Sequence, residues 1–478
     1  MFRILSILTP IAASLFFSGS LPAQSPESAP ANQRDQLFQS AVSFYESGHY
    51  AEAAVPLEKL AKEVPESFEV HELLGLVYAA EAQDMKANDH LSQAVRLKPD
   101  SVAARSNLAA SYARIGKYDL AMEQFRKAVE LDPQNYDTNH NLAEAYIHGN
   151  NIAKALPYLE KAQRINPAAY DNGYDLSLAF LMTGKLADAR NSVQNLLKVK
   201  NTGELHNLLG QIEEKDGQFV AAENQFESAA RMEPSESNLF DWASELLLHR
   251  TLDPAVKIFQ EATARFPDSS RMMVGLGMAY YARGNYDDAV KAFLKAADLN
   301  PSDERSYKFL ARAYDSSPGQ AADVIERFRR FADLQPHNGQ AIYYYAMSLW
   351  KGKRAQDPDL DLKQIESLLK NAIAESPKLP EAHLQIGNLS ADQGKFAEAI
   401  LEYQRALELD YDLADAHYRL GQAYVRTGQK DRAQGEFDVY QKLRAQHLAD
   451  LDKQRAEIRQ FVYSERDSAS APADSARP

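Results

Sequence analysis

The sequence predicts an all-α fold, a solenoid of about twelve helix–turn–helix units followed by a long C-terminal capping helix. Three observations predict it. Proline recurs at a nearly constant interval: Pro65, Pro99, Pro133 and Pro167 stand 34 residues apart, and Pro234, Pro267, Pro301 and Pro336 continue at 33, 34 and 35. A small residue fills the eighth place of every unit, from Ala41, Gly75, Ala109, Ala143, Ser177 and Gly210 to Ala243, Gly277, Ala311, Ala346, Gly387 and Gly421. Within each unit, apolar residues return at three- and four-residue spacing, as an amphipathic helix requires. A period of this length means one supersecondary unit that buries its core by stacking on its neighbours.

The ends come first. Residues 1–23 read as a secretory signal: Arg3 and the terminal amine precede an apolar stretch from Ile4 to Phe17, and Ala23 offers a small residue for cleavage before Gln24. The stretch is shorter than the ~20 residues a membrane-spanning helix needs. Retention as an uncleaved anchor is the alternative. Residues 24–33 read as a flexible Pro/Ser/Ala linker, and 464–478 as a disordered tail, because neither buries enough apolar surface to offset its ordering entropy.

Each unit between them is justified by the same physics. A first helix runs to about the fifteenth place, often glycine (Gly48, Gly116, Gly184, Gly217, Gly284, Gly394, Gly428), which takes up the left-handed conformation that ends a helix. A second helix follows and stops before proline, which cannot continue it. Small residues at the eighth place and alanine at the twentieth (Ala53, Ala87, Ala121, Ala155, Ala189, Ala222, Ala255, Ala289, Ala399, Ala433) let the two helices approach closely. Leucine and tyrosine fill the remaining space. The last unit lacks the proline stop, so its second helix is expected to run on to about Tyr463, with Leu443, Leu451, Ile458 and Phe461 on the inner side, as a solvating end-cap.

Composition agrees. The chain has 478 residues, 45% hydrophobic and 25% charged, with abundant alanine. It has no cysteine, which removes disulfides, thiol catalysis and Cys-based metal centres. The balance of 53 basic and 67 acidic residues gives a net charge of −14, which argues against a nucleic-acid-binding surface.

The pattern resembles the tetratricopeptide repeat (TPR) family. The clearest copies lie in Val102–Asn135 (NLAASYARIGKYDLAMEQFRKAVELDP) and Ser270–Glu304 (GLGMAYYARGNYDDAVKAFLKAADLNP). The resemblance covers residues 34–447 as twelve units: 34–67, 68–101, 102–135, 136–169, 170–202, 203–235, 236–269, 270–303, 304–338, 339–379, 380–413 and 414–447, with 448–463 continuing the capping helix. It implies a right-handed superhelix whose first helices line a concave groove. Three units depart from it. Unit one is weak and reads as a cap, unit nine has its turn rebuilt around Ser316-Ser317-Pro318-Gly319, and unit ten carries an insertion, Lys351–Lys363.

Catalytic motifs fail on inspection. His71-Glu72-Leu73-Leu74-Gly75 lacks the second histidine of a zincin helix, and Ser367-Leu368-Leu369-Lys370 lacks its companion motifs. No phosphate-binding loop occurs. His71, His206, His383 and His417 share the fourth place of their units, which reads as helix packing rather than a metal site. No cofactor and no metal are expected. Asp357, Asp359 and Asp361 begin like a calcium loop, but Leu362 and Leu368 stand where glycine and the closing glutamate belong, so helix capping is the stronger reading.

The groove places implied by the resemblance are the second, fifth, ninth and twelfth of each first helix. In units seven to ten they hold Phe240, Arg271, Met278, Tyr281, Arg305, Lys308, Arg312, Tyr343, Met347 and Trp350. Exposed aromatics and arginines in a concavity are material for partner recognition. Packing on the neighbouring unit is the competing reading. Asn107, Asn141 and Asp175 repeat at the sixth place, a ladder that resembles the amide rows with which some repeats of this family hold peptide backbone. Solvated helix residues are the plainer account of it.

The expected function is therefore an exported, periplasmic or extracellular, non-enzymatic scaffold that binds a protein or extended peptide. No membrane span is expected after signal cleavage. Two alternatives stand beside it: an accessory subunit of a cell-envelope assembly or secretion complex, and a non-catalytic partner of a glycosyltransferase-type enzyme or a saccharide-binding solenoid.

Overall fold

The protein is described here from a computed structural model, which describes residues 28–317, 319–354, 362–445, 456 and 458–465. The expected signal segment, the Asp357–Asp361 cluster, Leu451 and residues 466–478 lie outside the described residues. Among the described residues every regular element is a helix and there is no strand. The helices come in pairs: α1 (Ser28–Glu46) with α2 (Tyr50–Glu63), α3 (Phe68–Ala80) with α4 (Asp84–Leu97), α5 (Val102–Arg114) with α6 (Tyr118–Leu131), and α7 (Tyr136–His148) with α8 (Ile152–Ile165). Next come α9 (Tyr170–Met182) with α10 (Leu186–Val199), α11 (Gly203–Lys215) with α12 (Phe219–Met232), α13 (Glu236–Leu248) with α14 (Leu252–Arg265), and α15 (Ser270–Arg283) with α16 (Tyr286–Leu299). The last are α17 (Glu304–Ser316) with α18 (Ala321–Leu334), α19 (Gly339–Arg354) with α20 (Leu362–Glu375), α21 (Pro380–Asp392) with α22 (Phe396–Leu409), and α23 (Ala414–Arg426) with α24 (Lys430–Ala445). Residues 458–465 form a short helix, α25. Helix α1 begins at Ser28, inside the stretch expected as a linker; a proline in a first turn is tolerated because amides there have no helical acceptor.

The array falls into two compact units that divide at Gln225 and Phe226, within α12. Stacked pairs touch only their neighbours, so a chain of them has no single central core.

Two places in the repeat govern how each pair closes. At the twentieth place Ala53, Ala87, Ala121, Ala155, Ala189, Ala255, Ala289 and Ala399 are wholly buried. At the eighth, Gly277 faces the ring of Phe293, and a β-carbon there would come within 2.6 Å of it. Leu91 stands against Gly75 and Tyr403 against Gly387 in the same way, at 2.5 Å from the same hypothetical atom. The eighth place thus holds only small residues: glycine in these three pairs, where a large side chain of the second helix lies against the backbone, and glycine, alanine or serine in the others.

The turn between the helices is uniform. All seven glycines expected at the fifteenth place have positive φ, between 73° and 90°. Units two, four and seven put Ala82 (φ 57°), Asn150 (φ 57°) and Arg250 (φ 61°) into the same left-handed position. In unit nine the rebuilt turn moves that position to Gln320 (φ 62°).

The fourth place carries a recurring tie. His417 Nε2 lies 2.8 Å from the carbonyl of Tyr411, six residues back, and its other ring nitrogen faces Glu436 of α24. His71 reaches the carbonyl of Pro65 at 3.0 Å, and His383 Nδ1 reaches Glu402 at 2.7 Å. Where the place is not histidine the device persists. Arg105 donates to the carbonyl of Pro99 and to Gln124, and Tyr307 donates to the carbonyl of Pro301. His71 and His417 therefore bind their first helix both to its partner helix and to the loop before it, and His383 binds its first helix to the partner helix.

Candidate functional site

In the second unit the first helices α13, α15 and α17 present one wall. Phe240 of α13 is fully buried and makes an edge contact with Phe259 of α14 at 6.1 Å between ring centroids. Arg271 of α15 lays its guanidinium over the Phe240 ring at 4.5 Å and pairs with Glu236 at 3.4 Å. Arg305 of α17 is gripped by Asp303, which accepts from Arg305 Nε at 2.9 Å and from Nη2 at 3.0 Å. Asp303 also caps α17 by accepting from the Arg305 amide.

This wall is covered by α25. Phe461 packs edge-on to Phe240 at 5.9 Å and to Phe309 at 6.3 Å, with the Arg305 guanidinium 5.6 Å from its ring. Phe461, Val462 and Glu465 are buried. The Glu465 carboxylate accepts a hydrogen bond from Arg305 and lies 3.9 Å from Arg271. Of the segment expected to end-cap the last repeat, residues 456 and 458–463 are described and helical, yet their inward Ile458 and Phe461 belong to the core of units seven to nine.

A second feature is a cleft of about 1460 Å³ lined by α17, α19, α21 and α23. Lys308 and Arg312 stand on the α17 side, Tyr343, Tyr344 and Met347 on α19, and Asp415 and Arg419 on α23. Burial pushes the Tyr343 phenol well above its ordinary range, with the Glu381 charge adding to it. Burial, then the Glu304 charge, raises Tyr344 to about 12. Both phenols therefore stay neutral and can donate hydrogen bonds. Lys351 pairs with Asp315 at the edge of the cleft.

The residues expected as one groove thus separate. Arg271, Arg305 and Phe240 form the wall under α25. Lys308, Arg312, Tyr343 and Met347 line the cleft. Of the expected partner-binding residues, Met278 (2% exposed) and Trp350 (6%) are buried against adjacent helices, Trp350 at the margin of the cleft, and Phe240 (0%) is buried between Phe259 and the Phe461 of α25. Their apolar side chains lean onto adjacent helices, because an exposed aromatic or thioether gains by burial where a basic residue gains by reaching water. Tyr281 is half-buried and stacks edge-on with Tyr286 at 5.3 Å.

In the first unit the ladder is buried rather than solvated: Asn107, Asn141 and Asp175 are all below a tenth exposed. Asp175 lies beside His140 and Glu144, with one ligand-type atom of each within 4.8 Å of the others. His140 Nδ1 is 3.1 Å from Asn172 Oδ1, which turns Nε2 toward Glu144 at 3.6 Å. One imidazole and two carboxylates suit a divalent transition metal as a donor set. Sequence reasoning passed over this trio, because its members lie on two helices and fall at different repeat places. It also passed over Phe309, Val462 and Glu465; the signal was present as the i, i+3, i+4, i+7 spacing of Ile458, Phe461, Val462 and Glu465.

Among the described residues no helix is long and apolar enough to cross a membrane. Comparison with known proteins bears on the whole array. The mouse (Mus musculus) Protein O-mannosyl-transferase TMTC3 is 25% identical over 199 residues, 39% of this chain and 20% of its own length. Cellulose synthase operon protein C of Xanthomonas axonopodis pv. citri (strain 306) is 30% identical over 190 residues, 35% of this chain and 12% of its own length. The chain therefore spans a fifth or less of these curated relatives. A solved structure, the C-terminal part of a TPR repeat-containing protein from Cytophaga hutchinsonii, covers 50% of this chain and 96% of its own at 16% identity and a TM-score of 0.42. Models described as tetratricopeptide repeat match residues 37–67, 102–135, 125–156, 174–237, 240–304 and 415–447, and one described as TPR repeat matches 387–428. With these matches laid over the helix pairs, the chain belongs to the tetratricopeptide repeat family.

Proposed function

We propose that this protein is an exported, non-enzymatic scaffold that holds an extended segment of a partner protein in the cleft of α17, α19, α21 and α23. The observation that carries the reading is the cleft itself. Its volume of about 1460 Å³ is larger than a compact small-molecule site, and polar and aromatic side chains share its lining. Neutral phenols at Tyr343 and Tyr344 suit a peptide backbone's carbonyls, and Lys308 and Arg312 set an end for acidic residues of the partner. Phenols supply rigid, amphipathic contact area at low entropic cost.

The test uses the full chain and a partner identified by cross-linking in the cell envelope, then purified. Lys308→Glu with Arg312→Glu should weaken that partner at least tenfold and flatten the salt dependence of association. Tyr343→Ala should weaken it without the salt effect. Binding unchanged in both variants, with helicity intact, would remove the cleft from consideration. Export is read separately: amino-terminal sequencing of the protein from the producing cell should begin at or near Gln24, and an intact Met1 in the cytosol would refute it.

A second reading has one specific support. The flat rings of the cleft also suit sugars, and the two relatives are named for a mannosyl-transferase and a cellulose synthase operon. Titration with soluble oligosaccharides, read on the tyrosine fluorescence, separates the two.

A further inference from the structure

We propose that the wall of α13, α15 and α17 is a second recognition surface, for a short amphipathic helix bearing an aromatic residue and a carboxylate one turn apart. The chain's own α25 is then its resident competitor. This inference extends the scaffold reading to a different surface, and its test does not involve the cleft.

Helix α25 shows the shape of the occupant. Ile458, Phe461, Val462 and Glu465 lie on one helical face and turn inward, while Arg459, Gln460, Tyr463 and Ser464 remain exposed. Phe461 fills the space between Phe240 and Phe309, two aromatic rings offered by different repeats. Glu465 lies between two arginines, Arg305 and Arg271. Each arginine is itself held in place, Arg305 by Asp303 and Arg271 by Glu236 and the Phe240 face. Arginines oriented in this way by other acids are a preformed seat for one more carboxylate. An aromatic anchor with a charge-assisted pair one turn on is a helix-in-groove arrangement.

The fit is also one that another chain could reproduce. The contacts of α25 come from a handful of side chains on one helical face, with no β-pairing and no covalent link. Any segment with the same face presents the same chemistry. Because α25 belongs to the same chain as the wall it covers, it competes at a high effective concentration, and an outside segment must exceed it.

The probe is a labelled synthetic peptide of residues 456–466, and the protein is the full chain. Fluorescence anisotropy should show weak binding to wild type. Phe461→Ala with Glu465→Lys in the chain should release α25 and raise the affinity for the peptide at least tenfold. Adding Arg305→Glu to that double variant should abolish the gain, and helicity measured by circular dichroism should be the same for all three. Equal affinity for wild type and the double variant would overturn the proposal, as would a gain that survives Arg305→Glu. A wild-type dimer that the double variant converts to monomer would overturn it in favour of exchange of α25 between copies. The cleft variants Lys308→Glu and Arg312→Glu report on the partner of the preceding section, so failure here leaves that reading standing, and the converse also holds.

Discussion

Arg305 of α17 and Glu465 of α25 stand 160 residues apart in the chain and share a hydrogen-bonded ion pair. Glu465 is buried, while the Arg305 side chain keeps 44% of its exposure. Breaking the pair from the Glu465 side should cost about 1–3 kcal/mol, less than a fully buried pair because water still reaches the arginine. Glu465→Lys should therefore raise amide hydrogen exchange across 458–465 at least tenfold while leaving α13, α15 and α17 protected. Unchanged protection of α25 would show that Phe461 and Val462 hold it alone.

The inter-helix turns predict a pair of opposite effects. Gly116 has φ +73° and open space around the position of a β-carbon. Gly116→Ala should cost about 1 kcal/mol, all of it backbone strain. Ala82 and Arg250 already bear that strain at φ 57° and 61°. Ala82→Gly and Arg250→Gly should each stabilise the protein by up to about 1 kcal/mol. Thermal melts of the three variants check the signs.

The close helix crossings predict intolerance of volume. Ala121 is wholly buried, and a β-carbon on Gly277 would already meet Phe293 at 2.6 Å. Gly277→Leu and Ala121→Leu should each lower stability by about 1–3 kcal/mol, with Gly277→Leu the worse of the two. Denaturant titration followed by helical ellipticity measures both. A loss below that range for Gly277→Leu would mean that the α15–α16 pair can spread.

Glu72 of α3 predicts a pH dependence. Burial raises its carboxyl to about 7; Lys98 works against the shift and Glu69 adds to it. The folded protein thus holds this proton more tightly than the unfolded chain, whose value is 4.5. The stability it contributes is fully present below pH 4.5 and is lost as pH rises through about 7. Glu72→Gln should remove that slope and raise stability above pH 8 by up to about 3 kcal/mol. Melting temperatures of both proteins at pH 5 and pH 8.5 decide it; equal slopes would place the titrating group elsewhere.

Much of the fold could be read without coordinates, because its causes are local. A left-handed glycine ends a helix through its own backbone. A proline stops one by its missing amide, and a small residue at a repeated place sets how near two helices lie. These causes act within one repeat, so each was legible at its own position, down to the seven glycines with positive φ. The fourth-place histidines were legible as packing for the same reason, since their partners lie at constant offsets along the chain.

The candidate sites were legible only in part, because burial is decided by what arrives from elsewhere. The family resemblance put Phe240, Met278 and Trp350 on the concave side, but adjacent helices cover them, with α25 closing over Phe240. The same resemblance put Arg271 and Arg305 among the groove residues and had no means of showing that Phe461 and Glu465 would close over them. Nor could it bring His140 and Glu144 of α7 to Asp175 of α9. The sequence alone determined the repeat, its helices, its turns and its all-α character, since those follow from backbone conformation and short-range volume. The tertiary structure decided which groove residues meet solvent and which meet the C-terminal helix, since that depends on contacts between residues more than a hundred positions apart, such as Arg305 and Glu465 at a separation of 160.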